Sequence, residues 1–114
     1  MERFEIESLA EPATAAAAQF HAHFLPLIEI GLMIGSGGVT IVFPPADHTH
    51  RAWRLAAVAS LAREHAPSRI NAVSGADPRA VLEAVRYLDA AEGVTGQLLM
   101  VDGTGAGDVV ELSP

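Results

Sequence analysis

The stretch HTHRAWRLAAVASLAREHAPSRINAVS, residues 48–74, decides the fold that the sequence predicts. Apolar and small side chains recur in it at helical spacing, which predicts a long helix over residues 48–66 whose stripe is Trp53, Ala57, Ser60, Leu61 and Glu64. Pro67 cannot continue this helix and disfavours the helical conformation of Ala66. The residues 70–73 then predict a strand. A helix that leads into a buried strand is half of the crossover unit of parallel α/β sheets.

The residues before this stretch predict a further helix and strand. Glu11 and Pro12 favour a helix start, and the helix is predicted over residues 13–33 with a kink at Pro26. Its apolar side chains indicate one stripe with a second beside it: Phe20, Phe24, Leu27 and Gly31, then Leu25, Ile28 and Leu32. VTIVF, residues 39–43, is typical of a buried strand.

The residues after it repeat the alternation. Asp77 and Pro78 predict the start of a third helix, and residues 97–101 predict the last strand. Residues 3–7 alternate apolar and charged side chains, which predicts a short strand or an ordered arm, and either these residues or another chain would have to cover the open edge of residues 39–43. We therefore predict an α/β fold over residues 1–114 as a single domain. It is a partial Rossmann-like, doubly wound parallel sheet of about three to four strands with three main helices.

Composition excludes several classes of function. The formal net charge is −7, which argues against a nucleic-acid or anionic-membrane partner. The chain has no cysteine, so a disulfide scaffold and a thiolate metal site are excluded. No basic segment precedes an apolar run at the N-terminus, and the longest such run, residues 24–34, contains Glu29 and is too short to span a bilayer. We expect a cytoplasmic protein with no nucleic-acid and no membrane partner.

Three strings resemble the C-terminal half of a short-chain dehydrogenase/reductase (SDR). They are SLAREHAPSRINAVS at residues 60–74, VTGQLLMVDGTG at residues 94–105 and FLPLIEIGLMIGSGGVTIVF at residues 24–43. In that family, a helix leads to an Asn-Ala-Val-Ser strand, and a later helix leads to a Val-Thr-Gly-Gln strand that ends in Val-Asp-Gly-Gly. The resemblance covers residues 10–105 and implies a truncated family member with a fragment of a doubly wound parallel sheet.

The chain departs from the family at the residues that carry its chemistry. Alignment on the resemblance puts the catalytic Tyr and Lys positions at Asp47 and Arg51, the Ser position at Pro44 and Pro45, and the Asn position near Ala13. An Asp is normally ionised at neutral pH and cannot act as the phenol acid of carbonyl reduction, and Arg51 cannot be tuned as a Lys can. The resemblance therefore implies no catalytic residue.

The family's dinucleotide-binding unit is a strand, a glycine-rich turn and a helix at the N-terminus, and we find no match to it. The glycines of residues 103–107 follow a strand, but no helix-forming sequence comes after them to bind a phosphate. We therefore expect no bound cofactor and no metal.

The first functional hypothesis is a non-catalytic SDR-like pseudoenzyme. Members of the family pair through two helices that match residues 13–33 and 48–66, so the resemblance implies a structural or regulatory partner of an active SDR, or a homo-oligomer. The candidate interface residues are Phe20, Phe24, Trp53, Ala57 and Leu61.

Two alternatives remain open. One is an oxidoreductase-related enzyme of altered chemistry, with an acid/base or metal site made from Asp47, His48, His50 and Arg51, since imidazole and carboxylate are common ligands. The other is a carrier of a small molecule.

Overall fold

The computed structural model describes residues 1–35 and 37–101. Its centre is one sheet of four parallel strands in the order β1-β2-β3-β4. The strands are β1 (Glu2–Glu5), β2 (Gly38–Phe43), β3 (Arg69–Ser74) and β4 (Leu98–Met100). The predicted strand of residues 3–7 is confirmed, and it covers the edge of β2 with Phe4 opposite Ile41.

Helices cover both faces of the sheet. They are α1 (Ala13–Gln19), a π-helical turn (Phe20–Phe24), α2 (Leu25–Ile34), a 3₁₀ turn (His48–His50), α3 (Arg51–Glu64) and α4 (Pro78–Ala90). The segment 13–34 and α3 pack against one face, and α4 packs against the other. This arrangement confirms the partial Rossmann-like, doubly wound fold.

The first helical segment is continuous but not uniformly α-helical. Pro26 lacks an N–H, so the hydrogen bond that residue 26 would donate to residue 22 is missing. The π turn directly precedes Pro26, and the N–H of Leu25 donates to the carbonyl of Phe20, five residues earlier. The predicted kink is therefore a π turn, which is one of the recognised ways in which a helix accommodates such a break.

The predicted apolar stripe of this segment is wrong in part. Phe20 and Ile28 are buried against the sheet, whereas Leu27 is 53% exposed. A stripe counted at 3.6 residues per turn passes through the π turn and loses its register there.

The start of α4 follows the sequence prediction. The Asp77 carboxylate accepts a hydrogen bond from the N–H of Arg79 at 3.1 Å, and Pro78 occupies the first turn of α4. At the other end of α4, the Arg69 guanidinium donates to the carbonyls of Leu88 and Ala91 at 2.9 and 2.7 Å. A side chain of β3 thereby adds a second donor to two carbonyls at the end of the helix, which also accept from the backbone N–H groups of Ala91 and Val94.

Gly38 permits the close approach of β2 to β3. Its φ is 134°, and a Cβ atom at this position would lie 2.0 Å from the carbonyl oxygen of Arg69. Only glycine fits at the start of β2.

The helix from Ala13 to Ile34 is long and apolar enough, by length and composition alone, to cross a membrane. The sequence estimate counted only residues 24–34 and so underestimated this length. Ala16, Phe20 and Ile28 of the helix are fully buried, and Phe20 and Ile28 belong to the core that includes residues of the strands. We therefore describe it as a helix of the α/β domain.

Candidate functional site

An apolar groove of about 300 Å³ runs between the first helical segment and α3. From the first segment it is lined by Phe20, His21 and Leu25, and from α3 by Trp53, Ala56, Ala57, Ser60, Leu61 and Glu64. All five residues of the stripe predicted for residues 48–66 line this groove. Three of the six residues in the α3 wall, Ala56, Ala57 and Ser60, are small, so another helix can approach the groove closely at these positions.

Four of the five predicted interface residues meet in this groove. Trp53 is partly exposed, whereas Phe20 is fully buried and Ala57 and Leu61 are 7% and 3% exposed. The Phe20 ring lies 5.6 Å from the Trp53 ring and 5.7 Å from the Phe43 ring, measured between centroids. Phe20 therefore forms the floor of the groove and part of the core at the same time.

The fifth predicted residue, Phe24, lies elsewhere. Its ring packs edge-to-face on Phe4 of β1, with 6.4 Å between centroids. Phe24 thus contributes to the side of the helix that faces β1.

Exposed apolar side chains line the back of α2, and sequence reasoning did not select them. Leu27 and Ile30 are 53% and 54% exposed, and Met33 and Ile34 are each 83% exposed. Leu27, Ile30 and Ile34 have the i, i+3, i+7 spacing that places them on one face of a helix. We call these four residues the α2 ridge. Ridges of exposed apolar side chains of this kind are typical of interaction surfaces.

Asp47, the residue that the resemblance aligns with the catalytic Tyr of short-chain dehydrogenases, caps the 3₁₀ turn His48–His50. Its carboxylate accepts hydrogen bonds from both the backbone N–H and the hydroxyl of Thr49. These two hydrogen bonds lower the pKa of Asp47, with a small contribution from the nearby imidazoles. Asp47 is therefore an ionised cap at neutral pH.

His50 is buried and uses both ring nitrogens within the fold. Its Nε2 lies 2.8 Å from the carbonyl oxygen of Glu11, which only accepts, and its Nδ1 lies 3.2 Å from the indole N–H of Trp53, which only donates. His50 therefore carries its proton on Nε2 and accepts on Nδ1. His48 is exposed. Because both ring nitrogens of His50 are already engaged, the two imidazoles do not offer a pair of free nitrogens to a metal. A metal at the hypothesised site would have to displace one of these hydrogen bonds.

A second group of possible ligands joins α2 to the end of α3. Ligand atoms of Glu29, Glu64 and His65 all lie within 4.8 Å of one another. Glu29 Oε2 and His65 Nε2 are 3.4 Å apart. Glu29, the only carboxylate in the otherwise apolar α2, is therefore the partner of His65 at the C-terminal end of α3.

Arg54 is a buried cation that sequence reasoning missed. It is 3% exposed, and its Nη1 donates to the carbonyl oxygen of Pro44 at 2.9 Å and to Ser74 Oγ at 3.1 Å. In a helical pattern, an Arg between Trp53 and Leu55 is normally interpreted as a solvated residue, and nothing local in the sequence indicates its burial.

The glycine-rich segment around Gly35 and Gly37 and the loop after β2 lack the features of a dinucleotide site. Within residues 1–35 and 37–101, the glycine-rich segment around Gly35 and Gly37 follows a helix and precedes a strand, whereas a dinucleotide site requires the order strand, glycine turn, helix. The loop after β2, at the ligand-binding edge of the sheet, begins with Pro44 and Pro45, which supply no N–H for a phosphate. The glycines of residues 103–107 and Ser36 lie outside the described residues.

The comparisons with known proteins agree with this fold. A family model described as "Short chain dehydrogenase-like protein", of the SDR-like family, matches residues 4–101. A search of curated proteins and a search of solved structures gave no match. The matched residues include the second half of β1, the whole of β2 to β4 and all four α-helices that the structure describes. The chain therefore belongs to the SDR-like family of short-chain dehydrogenase-like proteins.

Proposed function

We propose that this chain is a non-catalytic SDR-type subunit that pairs through α2 and α3 with a second copy of itself. The observation that carries the proposal is the presence of the groove and the α2 ridge on the same helical layer. A surface with both a groove and a projecting apolar ridge is suited to an isologous contact, in which the ridge of each copy packs into the groove of the other. An active SDR subunit with the same two helices is the related partner that the sequence suggests.

The residues at the family's catalytic positions support the non-catalytic part. The ionised carboxylate of Asp47 accepts a hydrogen bond from the N–H of Thr49. The carbonyl of Pro44 accepts a hydrogen bond from Arg54. An ionised carboxylate cannot donate the proton that carbonyl reduction needs. We expect the purified chain to show neither binding of NAD or NADP in calorimetric titration nor reduction of a generic ketone. A micromolar response to either cofactor would contradict this.

The α2 ridge is a better target for mutation than Trp53, because its side chains are exposed. Trp53→Ala removes a side chain that also contacts Phe43 and the His50 ring, so it perturbs the core together with the groove. Leu27 and Ile30 are more than half exposed, and their replacement leaves the core intact. Charged side chains at a desolvated apolar contact oppose association strongly.

The test is the mass of the chain in solution, measured by light scattering after gel filtration. We expect a dimer for the wild type and a monomer for the Leu27→Glu/Ile30→Glu variant, with the circular dichroism spectrum unchanged. Leu82→Glu is the matched control, since Leu82 is a 36% exposed apolar residue of α4, on the other face of the sheet. This control should remain a dimer.

Two results would overturn the proposal. The first is a wild-type chain that stays monomeric at high micromolar concentration. The second is a monomer that floats with phosphatidylcholine/phosphatidylglycerol vesicles and loses this binding in the Leu27→Glu/Ile30→Glu variant, because the ridge would then contact lipid and not a second subunit.

A further inference from the structure

The guanidinium of Arg54 lies across the carboxyl ends of two neighbouring parallel strands. It belongs to the first turn of α3, and its Nη1 bonds to the carbonyl of Pro44, which directly follows β2, and to the hydroxyl of Ser74, the last residue of β3. Open α/β sheets bind their ligands at this edge. The cation is therefore positioned where the fold brings ligands.

One edge of this guanidinium has no partner within the described residues. Both hydrogen bonds of Arg54 to residues 1–35 and 37–101 come from Nη1, and Nε is fully buried without a hydrogen-bond acceptor. The Nε and Nη2 donors point in parallel and form the fork that binds both oxygens of a carboxylate or phosphate. A buried N–H without an acceptor is costly, so an acceptor at this edge is strongly favoured.

The charge of Arg54 is also uncompensated in this part of the chain. None of the ion pairs found among residues 1–35 and 37–101 includes it. Its carbon Cζ lies 4.6 Å from the centre of the Phe43 ring and 5.8 Å from that of Trp53. Burial lowers the pKa of Arg54 to about 10, so the side chain is still protonated at neutral pH. Aromatic faces stabilise such a cation but do not neutralise it.

We propose that Arg54 binds a small oxyanion, a carboxylate or a phosphate group, through its Nε–Nη2 edge at the carboxyl ends of β2 and β3. Pro44 and Ser74 hold the opposite side of the guanidinium and fix the direction of the fork. The Phe43 and Trp53 rings exclude water from it. The α2 ridge contributes no residue to this site, and Trp53 is shared between this site and the groove.

The test is calorimetric titration of the chain with sodium acetate and, separately, with inorganic phosphate, at an ionic strength held constant with chloride. We expect saturable one-to-one binding, and the ligand that saturates at the lower concentration identifies the class of anion. Arg54→Lys keeps the charge but removes the fork and should weaken binding at least tenfold, and Arg54→Met should abolish it. Arg63→Met, which removes an exposed cation from the same helix, is the matched control and should bind as the wild type does.

A second readout uses the wild-type chain alone and does not depend on the folding of a variant. The Nε–H resonance of Arg54 should shift to a plateau during the titration, while that of Arg69, whose Nη atoms bond to the end of α4, should not move.

Three outcomes would overturn the proposal. They are the absence of saturation by both anions, binding by Arg54→Met equal to that of the wild type, and binding that appears only in Asp102→Asn. The last would mean that a carboxylate of the chain itself occupies the fork, since residue 102 follows Val101, whose N–H donates to the carbonyl of Ser74 at 2.9 Å.

Discussion

Phe20→Ala tests whether Phe20 belongs first to the core or first to the subunit contact. The ring is fully buried and lies within 6 Å of both Phe43 and Trp53, measured between centroids. Truncation of a buried Phe to Ala costs about 3–5 kcal/mol, because apolar contacts are lost and a cavity remains. With a urea m-value of about 2 kcal/mol per M, a loss of about 4 kcal/mol lowers the unfolding midpoint by about 2 M.

Trp53 is the single tryptophan of the chain and packs on Phe20, so its fluorescence reports the transition. Unfolding should be measured at two chain concentrations tenfold apart, because the stability of a dimer depends on concentration. We expect the difference between Phe20→Ala and the wild type to be the same at both. Phe24→Ala, which removes a partly buried ring with one aromatic contact, should lose only about 1–2 kcal/mol. If Phe20→Ala loses less than about 1 kcal/mol yet dissociates the dimer, Phe20 is an interface residue and its placement in the core is refuted.

Three further predictions concern single residues. His50→Ala leaves the Glu11 carbonyl and the Trp53 indole N–H without partners, so it should lower the free energy of unfolding by about 2–4 kcal/mol in thermal unfolding, with or without a chelator. The control His48→Ala, at an exposed position, should change the stability by less than about 0.5 kcal/mol. A chelator that destabilises the wild type but not His50→Ala would instead support a metal at this site. Gly38→Ala should lower the free energy of unfolding by at least about 2 kcal/mol, because of the positive φ of residue 38 and its contact with Arg69. Gly31→Ala, in open space within α2, should instead stabilise the chain by about 0.5–1 kcal/mol. Equal effects of the two substitutions would be inconsistent with the strand contact. The carboxylate of Asp47 has a lowered pKa, so the stabilisation from this cap is present above the ordinary pKa of 3.8 and is lost as the pH falls through the lowered pKa. The NMR titration of this carboxylate should therefore have a midpoint below 3.8. A midpoint at or above 3.8 would contradict the cap.

Local signals in the sequence predicted most of the fold. The cap at Asp77 depends on a residue two positions away, and Pro67 stops a helix within its own neighbourhood, so short-range chemistry is sufficient for both. The parallel order of the sheet follows from the alternation of helices and strands. The strand at residues 3–7 was predicted from the alternation of its side chains, and it forms at residues 2–5, where it covers the edge of β2.

Among the features of the candidate site, only the residues that α3 presents to the groove were predicted, because their spacing follows a regular helical period. The α3 wall of the groove follows a 3.6-residue repeat without interruption, and all of its predicted residues line the groove. His50 could not be interpreted in this way, because the carbonyl that it binds belongs to Glu11, 39 positions earlier. The burial of Arg54 likewise depends on the ends of two strands that pairing brings together. The α2 ridge was missed because the stripe was extrapolated through the π turn.

The π turn at residues 20–24 also keeps the first helical segment in phase with the sheet. In a regular α-helix each residue turns by about 100°, so Ala16 and Ile28, twelve positions apart, would differ by about 120° in direction. A π turn adds about one residue to a single turn and takes back about 100° of this drift. Ala16 and Ile28 consequently face the same side, as their complete burial requires. Deletion of one residue such as Ala22 would leave Ala16 and Ile28 eleven positions apart, and in a regular α-helix these differ by only about 20° in direction, so both would stay buried and the α2 ridge would keep its direction. The π turn thus accommodates one extra residue without rotating the second half of the helix away from the core.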